Sequence, residues 1–190
     1  MRVIFGGNSD IGKAIEGEHI SRKDCDVTKF NDVLHIIQTY RPNEIVDCAG
    51  VIYPSSIYSS DVLSWEHELK VNLIGSYYIA KLGTLNINAK IVFIGSTSGL
   101  RGRGDWSGYC ASKAGLISLV QSMAEEGYNA WVVNPSRTAT KMRKKLFPDE
   151  DQNTLLQPSD IAKVVQGCFD GVYKSGSSIT VKKDKIIVEE

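Results

Sequence analysis

Short apolar segments alternate with longer stretches of helical periodicity along this whole sequence. The apolar segments, which we predict to be strands, lie at residues 2–5, 19–21, 44–48, 91–94, 130–133 and 178–181. The predicted helices lie at residues 10–16, 29–40, 60–81, 106–126 and 158–169. Strands that alternate with helices form a parallel sheet with right-handed crossovers, and the helices cover both of its faces. We therefore predict an α/β fold with a doubly wound parallel sheet in three layers, formed by a single domain over residues 1–190.

The composition agrees with one compact domain and disfavours several kinds of partner. The chain has 190 residues, 42% of them hydrophobic, which is enough for a sizeable core. Basic and acidic residues balance at 22 each, so no overall field attracts nucleic acid. No apolar run approaches the roughly 18 residues of a membrane span, and the N-terminus lacks the features of a signal peptide. We expect a cytoplasmic protein without a nucleic-acid or membrane partner.

The cysteines and histidines show no metal-ligand spacing. The four cysteines are far apart and form no CxxC pair: Cys25, Cys48, Cys110 and Cys168. In a cytoplasmic protein, buried cysteines of this kind behave as small apolar residues. We predict free thiols and no metal site.

A glycine-rich turn, GGNSDIG at residues 6–12, directly follows the first predicted strand and leads into a helix. Strand, glycine turn and helix start together form the context in which a dinucleotide binds. Glycine lets the backbone approach a pyrophosphate, whose charge meets the free N–H groups of the helix start. Taken alone, the turn is equally compatible with an ordinary strand-to-helix connection.

A second pattern places three polar side chains near one another. Tyr109 and Lys113 are four residues apart on a predicted helix, so they share one face of it. Ser96 ends the preceding predicted strand, thirteen residues before the tyrosine. Taken alone, a Tyr-xxx-Lys pair is more often a solvated helix face than a catalytic pair.

Six motifs in order resemble the short-chain dehydrogenase/reductase family. They are GGNSDIG, CDVT, DCAG, KVNLIG, the set of Ser96, Tyr109 and Lys113, and NPSRTAT. Together they span nearly the whole chain, whereas any one of them could arise by chance. The resemblance implies a Rossmann-like fold and an NAD(P)(H)-dependent oxidoreductase that interconverts a carbonyl and an alcohol by hydride transfer.

The resemblance also assigns residues to the cofactor. The implied cofactor-binding residues of the glycine turn are Gly6, Asn8, Ser9, Asp10, Ile11 and Gly12. Those of the later motifs are Asp26, Val27, Cys48, Ala49, Gly50, Tyr109, Lys113, Pro135, Thr138 and Thr140. The chain departs from the family pattern where Asp10 replaces the middle glycine, Cys48 an asparagine, and Ser136 a glycine.

The chemistry of carbonyl reduction explains the residue types of the implied catalytic set. A free tyrosine has a pKa of about 10, and a neighbouring ammonium group such as that of Lys113 lowers it. Tyr109 would then exchange a proton with the substrate oxygen while Ser96 donates a hydrogen bond to it. Asn72 would anchor a water molecule that links Lys113 to solvent.

Cofactor preference depends on the residues after the second predicted strand. An acidic residue there binds the ribose 2′-hydroxyl of NAD, whereas arginine suits the 2′-phosphate of NADP. Ser21 and Arg22 occupy this place, and no carboxylate occurs before Asp24. NADP (NADPH) is therefore favoured over NAD. The segment between this strand and CDVT is short, so the helix that the family usually has there is expected to be missing.

Two other functions fit the same motifs. One is a catalytically silent NADP-binding regulatory or scaffold protein, and the other is an isomerase or epimerase that uses the cofactor transiently. The complete Ser/Tyr/Lys/Asn set argues against the first, and the short chain leaves little room for the substrate domain of the second. By analogy with the family, helices 60–81 and 106–126 pair between subunits of a homodimer or homotetramer.

The substrate, a small-molecule carbonyl or alcohol, is not fixed by the sequence. The polar segment 141–157 is the best candidate for a mobile flap, and residues 182–190 for a short hairpin arm. Arg137, Lys141 and Arg143 either meet an anionic substrate or lie in solvent. We interpret Trp106, Met123 and Trp131 as packing residues.

Overall fold

A computed structural model describes residues 1–189, and within them seven strands form one sheet in the order β2-β1-β3-β4-β5-β6-β7. The first six are parallel, and β7 is antiparallel to β6. Their bounds are β1 Arg2–Phe5, β2 Glu18–Ile20, β3 Glu44–Asp47, β4 Lys90–Ile94, β5 Asn129–Pro135, β6 Ser178–Lys182 and β7 Lys185–Glu189. All six predicted strands are present, each within two residues of its predicted bounds, and β7 with the turn before it forms the predicted hairpin arm.

Helices connect successive parallel strands. Their bounds are α1 Asp10–Lys13, α2 Phe30–Tyr40, α3 Val62–Leu69, α4 Ser76–Gly83, α5 Ser107–Glu125, α6 Lys141–Leu146 and α7 Pro158–Phe169. A π-helical segment, Lys70–Gly75, joins α3 to α4, and single 3₁₀ turns occupy Thr97–Gly99 and Gln152–Thr154. The predicted flap thus contains a short helix and a 3₁₀ turn.

Two apolar layers hold the helices on opposite faces of the sheet. On one face Val3 and Phe5 of β1 pack with residues of α2, α4 and α5 such as Val33, Ile79 and Leu116. On the other face Ile4 and its strand neighbours pack with α7. Successive strand residues point to opposite faces, so strands buried on both sides read as continuous apolar runs. The predicted three-layer architecture is confirmed.

The predicted helix over residues 60–81 differs from the structure because its middle is a π-helix. Asn72 lies in this segment and is fully buried. Its side chain bonds both backbone polar groups of Val51. Asn72 Oδ1 accepts from Val51 N at 2.8 Å, and Asn72 Nδ2 donates to Val51 O at 2.9 Å. A π-helical turn adds a residue to the helical repeat and re-aims the side chains that follow. Hydrophobic periodicity carries no signal for it.

The connection from β2 to α2 also differs in detail from the prediction. A threonine just before a helix is typical of an N-cap, but the Thr28 hydroxyl donates to Asp26 Oδ1 at 2.8 Å, and α2 begins only after Lys29. The Thr28 side chain therefore takes part in a local Asx-type turn and does not cap the helix. Residues 21–29 form only turns, so the expected absence of a helix here is confirmed.

Gly95 directly follows β4, at a place where no side chain fits. A Cβ at this position would overlap Asn134 Oδ1 and lie 2.8 Å from Val132 Cγ2. Asn134 is fully buried, accepts from Ser96 N at 3.1 Å and donates to Ser178 Oγ at 2.9 Å. One amide thus joins the segment after β4 to β5 and to the first residue of β6.

We predict that Gly95→Ala lowers the free energy of unfolding by about 1–3 kcal/mol, because the added methyl displaces Asn134 from a filled space. Gly102→Ala is the matched control, since nothing lies within 4 Å of its Cβ position. Urea denaturation of both variants measures the difference. Equal midpoints for the two variants would show that Asn134 moves aside at no cost.

Candidate active site

The carboxyl ends of β1, β3, β4, β5 and β6 meet at one edge of the sheet, where they border a cavity of about 920 Å³. Thirteen of the predicted site residues line it: Asn8, Ser9, Asp10, Ile11, Cys48, Ala49, Gly50, Ser96, Tyr109, Lys113, Pro135, Thr138 and Thr140. Parallel strands bring their carboxyl ends to the same edge, which is where ligands bind in open α/β sheets. Residues far apart in sequence therefore share one cavity.

The glycine turn fits the phosphate group of a dinucleotide. Gly6 has φ +67°, and a Cβ there would lie 2.6 Å from Ala49 N, so only glycine is tolerated. Within residues 1–189, the N–H groups of Asn8, Asp10 and Ile11 have no hydrogen-bond partner, and all three residues line the cavity. Free backbone donors at a glycine turn are what an anionic oxygen requires. Gly6 and Gly12 lie behind this surface and shape it without lining it.

Asp10, which replaces a glycine of the family pattern, is directed to another part of the chain. Its Oδ2 accepts a hydrogen bond of 2.6 Å from Lys141 N at the start of α6. Thr140 Oγ1 caps the same helix by accepting from Arg143 N at 3.1 Å. The carboxylate is thus held by α6 and leaves the amides of the glycine turn free. It ties the predicted flap to the glycine turn.

Tyr109, Lys113 and Ser96 line the cavity together. Lys113 Nζ lies 5.9 Å from the centroid of the Tyr109 ring and donates to Ile94 O at 2.7 Å. The Ser96 hydroxyl oxygen accepts from Ser98 N at 3.1 Å, which leaves its own hydrogen free to donate. The proximity that residue spacing predicted for these three side chains is present.

Burial and polar neighbours act in opposite directions on the catalytic candidates. Burial raises the pKa of the Tyr109 phenol, while a hydrogen-bonding contact with Ser96 lowers it. Burial lowers the pKa of Lys113, and the carboxylate of Asp47 opposes that effect. At neutral pH the phenol therefore stays protonated.

Asp47 is a buried carboxylate at the end of β3 that sequence reasoning missed. Burial raises the pKa of Asp47, and the Ser76 hydroxyl, the Lys113 charge and Ala49 N lower it. Ser76 Oγ donates to Asp47 Oδ2 at 2.6 Å, and Ala49 N donates to Asp47 Oδ1 at 2.9 Å. Asp47 is the first residue of the DCAG motif, so its place within that motif was the available signal.

Asn72 lies behind the cavity and does not line it. Besides its two bonds to Val51, its Nδ2 donates to Ser112 Oγ of α5 at 3.2 Å. The side chain therefore fixes the loop after Gly50 against the helix that carries Tyr109 and Lys113. This is a supporting position, one layer away from the reacting groups.

Four further predicted cofactor-binding residues do not line the cavity: Ser21, Arg22, Asp26 and Val27. Ser21 Oγ donates to Asp24 Oδ2 at 2.6 Å, which closes a turn around the exposed Arg22. Burial raises the pKa of Asp26, but hydrogen bonds from Thr28 and the Arg22 charge lower it by more. The pKa of Asp26 is therefore below its usual value. Val27 is buried against Gly75 of the π-helical segment. Arg22 is therefore free to meet an anion at the surface.

Pro135 and the residues that follow it, up to Thr140, form another wall of the cavity. Ser136 N donates to Val181 O at 2.9 Å, so the serine that replaces a glycine continues the pairing of β5 with β6. Thr138 Oγ1 donates to Ser136 O at 3.0 Å. Arg143 pairs with Glu150 at 2.6 Å and Arg137 with the same carboxylate at 3.3 Å. These two arginines, which were left open between an anionic substrate and solvent, are engaged within the protein.

Trp106 lines the cavity, so its interpretation as a packing residue is incomplete. Its ring lies edge-to-face with Tyr109 at 6.0 Å and tilted to Phe147 at 6.1 Å. Met123 and Trp131 are buried, as predicted. Further lining residues that the motifs did not mark are Ile52, Leu100, Arg101, Arg103, Met142, Leu146, Lys182, Ile187 and Glu189. They come from connections and from the terminal hairpin, where no motif constrains the sequence.

The four cysteines are free, and within residues 1–189 no group of three potential ligands is arranged for a metal ion. None of the helices in this part of the chain is both long enough and apolar enough to span a membrane.

Comparison with known proteins gives a consistent match. The sequence model of the short chain dehydrogenases matches residues 4–151. The 3-oxoacyl-[acyl-carrier-protein] reductase MabA of Mycobacterium tuberculosis is 28% identical over 221 aligned positions, covering 94% of this chain and 90% of that protein. The acetoacetyl-CoA reductase of Allochromatium vinosum is 26% identical, covering 89% and 78%.

A small-chain dehydrogenase solved in complex with NADPH has the same fold. Its TM-score is 0.87 at 19% sequence identity, and the match covers 95% of each chain. At this identity the likeness establishes the Rossmann-like fold only.

Proposed function

Because the chain belongs to the short-chain dehydrogenase family and is an NAD(P)-dependent oxidoreductase of that family, we propose that it interconverts a carbonyl and an alcohol with Tyr109 as acid–base residue. The observation that carries this proposal is the meeting of Ser96, Tyr109 and Lys113 in the cavity that also contains the glycine turn. The continuous sheet supports a single NAD(P)-binding domain over residues 1–190.

When bound, NAD(P)H supplies the hydride for the carbonyl carbon. The protein supplies the proton: the Tyr109 phenol, kept protonated by burial, donates to the carbonyl oxygen as charge develops there. The Ser96 hydroxyl donates a hydrogen bond to the same oxygen. The Lys113 ammonium stabilises the phenolate left behind. In the oxidising direction the phenolate takes the proton back.

Lys113 performs this role only if it remains charged in its buried position. Ile94 O accepts one of its hydrogen bonds, and the carboxylate of Asp47 favours the charged form. Asn72 keeps the loop beside Gly50 in place, and we assign it the water that links Lys113 to solvent. Oδ1 of Asn72 has one lone pair left after its bond with Val51 N.

NADP is the favoured cofactor. Arg22 is exposed after β2, with Lys23 beside it, and a guanidinium binds a phosphate in a bidentate manner. The nearest carboxylate, Asp24, is occupied by Ser21. It is therefore turned away from the role of a ribose acceptor.

The alternative is a catalytically silent NADP-binding regulatory or scaffold protein. Such a protein needs the glycine turn but has no use for a serine, a phenol and a buried ammonium at the far end of the cavity. A buried charge costs several kcal/mol unless it is compensated. The cost of burying Lys113 therefore favours the enzyme.

Assembly into a homodimer or homotetramer is part of the proposal. Exposed apolar side chains lie on or just before the α3–α4 pair, including Ile57, Val62, Leu63 and Tyr77. Exposed apolar side chains on one pair of helices suit a subunit interface.

Tyr109→Phe should lower kcat for carbonyl reduction about 10²- to 10⁴-fold, because the proton donor is lost. Affinity for NADPH, measured by fluorescence titration, should change little. The matched control is Tyr40→Phe at the end of α2, outside the cavity lining, which should retain full activity. A Tyr109→Phe enzyme that is as fast as wild type, or a wild type that binds cofactor but reduces no carbonyl in a broad panel, would favour the silent protein.

Arg22→Ala should weaken NADPH about 10- to 100-fold and leave NADH within about two-fold, because only NADPH carries the 2′-phosphate. Dissociation constants for both cofactors, determined by calorimetry, test this. Arg41→Ala, an exposed arginine after α2, controls for the loss of one positive charge. Equal losses for both cofactors would remove the assignment to NADP.

A further inference from the structure

The cavity is strongly basic although the chain is neutral overall. Its lining contains seven basic residues, Arg101, Arg103, Lys113, Arg137, Lys141, Arg143 and Lys182, and two acidic residues, Asp10 and Glu189. The whole sequence has 22 of each sign. The positive excess is therefore a local feature of this site.

Several of these positive charges already have a function or a partner. Lys113 belongs to the catalytic set, and Arg137 and Arg143 are paired with Glu150. Lys141 begins α6 beside the glycine turn, on the side assigned to the cofactor phosphates.

Arg101 and Arg103 are different because neither guanidinium has a hydrogen bond or ion pair with any residue in 1–189. The Arg103 guanidinium lies 5.6 Å over the Trp106 ring, which itself contacts Tyr109 edge-to-face. A cation–π contact orients the guanidinium without using its N–H donors. Five donors on each arginine remain available.

The loop that carries these arginines belongs to the substrate side of the site. It lies between β4 and α5, the connection that also contains Ser96 and ends at the Tyr109 helix. The glycine turn lies on a different connection, between β1 and α1. Gly102 and Gly104 have nothing within 4 Å of their Cβ positions, so the loop stands open on both sides of Arg103.

We propose that Arg101 and Arg103 form a clamp for an anionic group on the substrate, a carboxylate or a phosphate separate from the reacting carbonyl. This inference rests on the proposed function and names the substrate class. Two guanidiniums that line one cavity without internal partners match the geometry of carboxylate and phosphate oxygens. Trp106 holds one of them at a fixed place relative to Tyr109.

The test compares matched substrates that differ in charge. Acetoacetyl-CoA is paired with its neutral N-acetylcysteamine thioester, and levulinate with methyl levulinate, all at saturating NADPH. The variant is Arg101→Gln/Arg103→Gln. The control is Arg41→Gln/Lys81→Gln, which removes two exposed positive charges outside the cavity lining.

Wild type should prefer the anionic member of at least one pair by about 10-fold or more in kcat/KM. The double variant should lose that preference through KM, with kcat and the neutral substrate unchanged within about two-fold. The pair that responds identifies phosphate or carboxylate as the group recognised. Equal losses on neutral and anionic substrates would overturn the clamp, as would a rise in the KM for NADPH, measured separately at saturating substrate, in place of the substrate effect.

If wild type reduces none of these substrates, the proposed function fails for them and the clamp is judged by binding. Calorimetry with NADP⁺-saturated protein should then show coenzyme A binding at least about 10-fold more tightly than neutral pantetheine, and the double variant should lose the difference. Equal binding of the two compounds to wild type would overturn the clamp.

Discussion

The buried ammonium group of Lys113 is the constraint on which the rest of this structure depends. Only 4% of the residue is exposed, and an isolated charge in such a place costs several kcal/mol. The structure compensates it from the sheet edge, with Ile94 O at the end of β4 and the carboxylate of Asp47 at the end of β3. The lysine is thus held with its Nζ 5.9 Å from the centroid of the Tyr109 ring, one helical turn away.

The surrounding elements fix that position. The π-helical turn aims Asn72 at the loop after Gly50 and at Ser112 of α5, which joins the Tyr109 helix to the sheet edge. On the other side, Asn134 holds Ser96 N. Each of the proposed reacting groups is therefore supported, directly or through its helix, by a buried amide with hydrogen bonds on both its oxygen and its nitrogen, the kind of support that keeps a site in one geometry.

The fold and the centre of the site were predictable from the sequence because they depend on local spacing. Alternating strands and helices imply the parallel sheet, and a four-residue interval places Tyr109 and Lys113 on one helix face. The π-helix, Asp47 and the wall containing Trp106 were not predictable in the same way. They depend on contacts between segments far apart in sequence, and Thr28 shows that even a local cap loses to a competing turn.

We propose that the Lys113 charge lowers the pKa of Tyr109 against the opposing effect of burial. Tyrosine ring-carbon NMR across a pH titration measures this directly, with Tyr109→Phe identifying the signal. In Lys113→Met the Tyr109 pKa should rise above its wild-type value, because burial remains and the ammonium is gone. An unchanged or lower pKa in Lys113→Met would contradict the account.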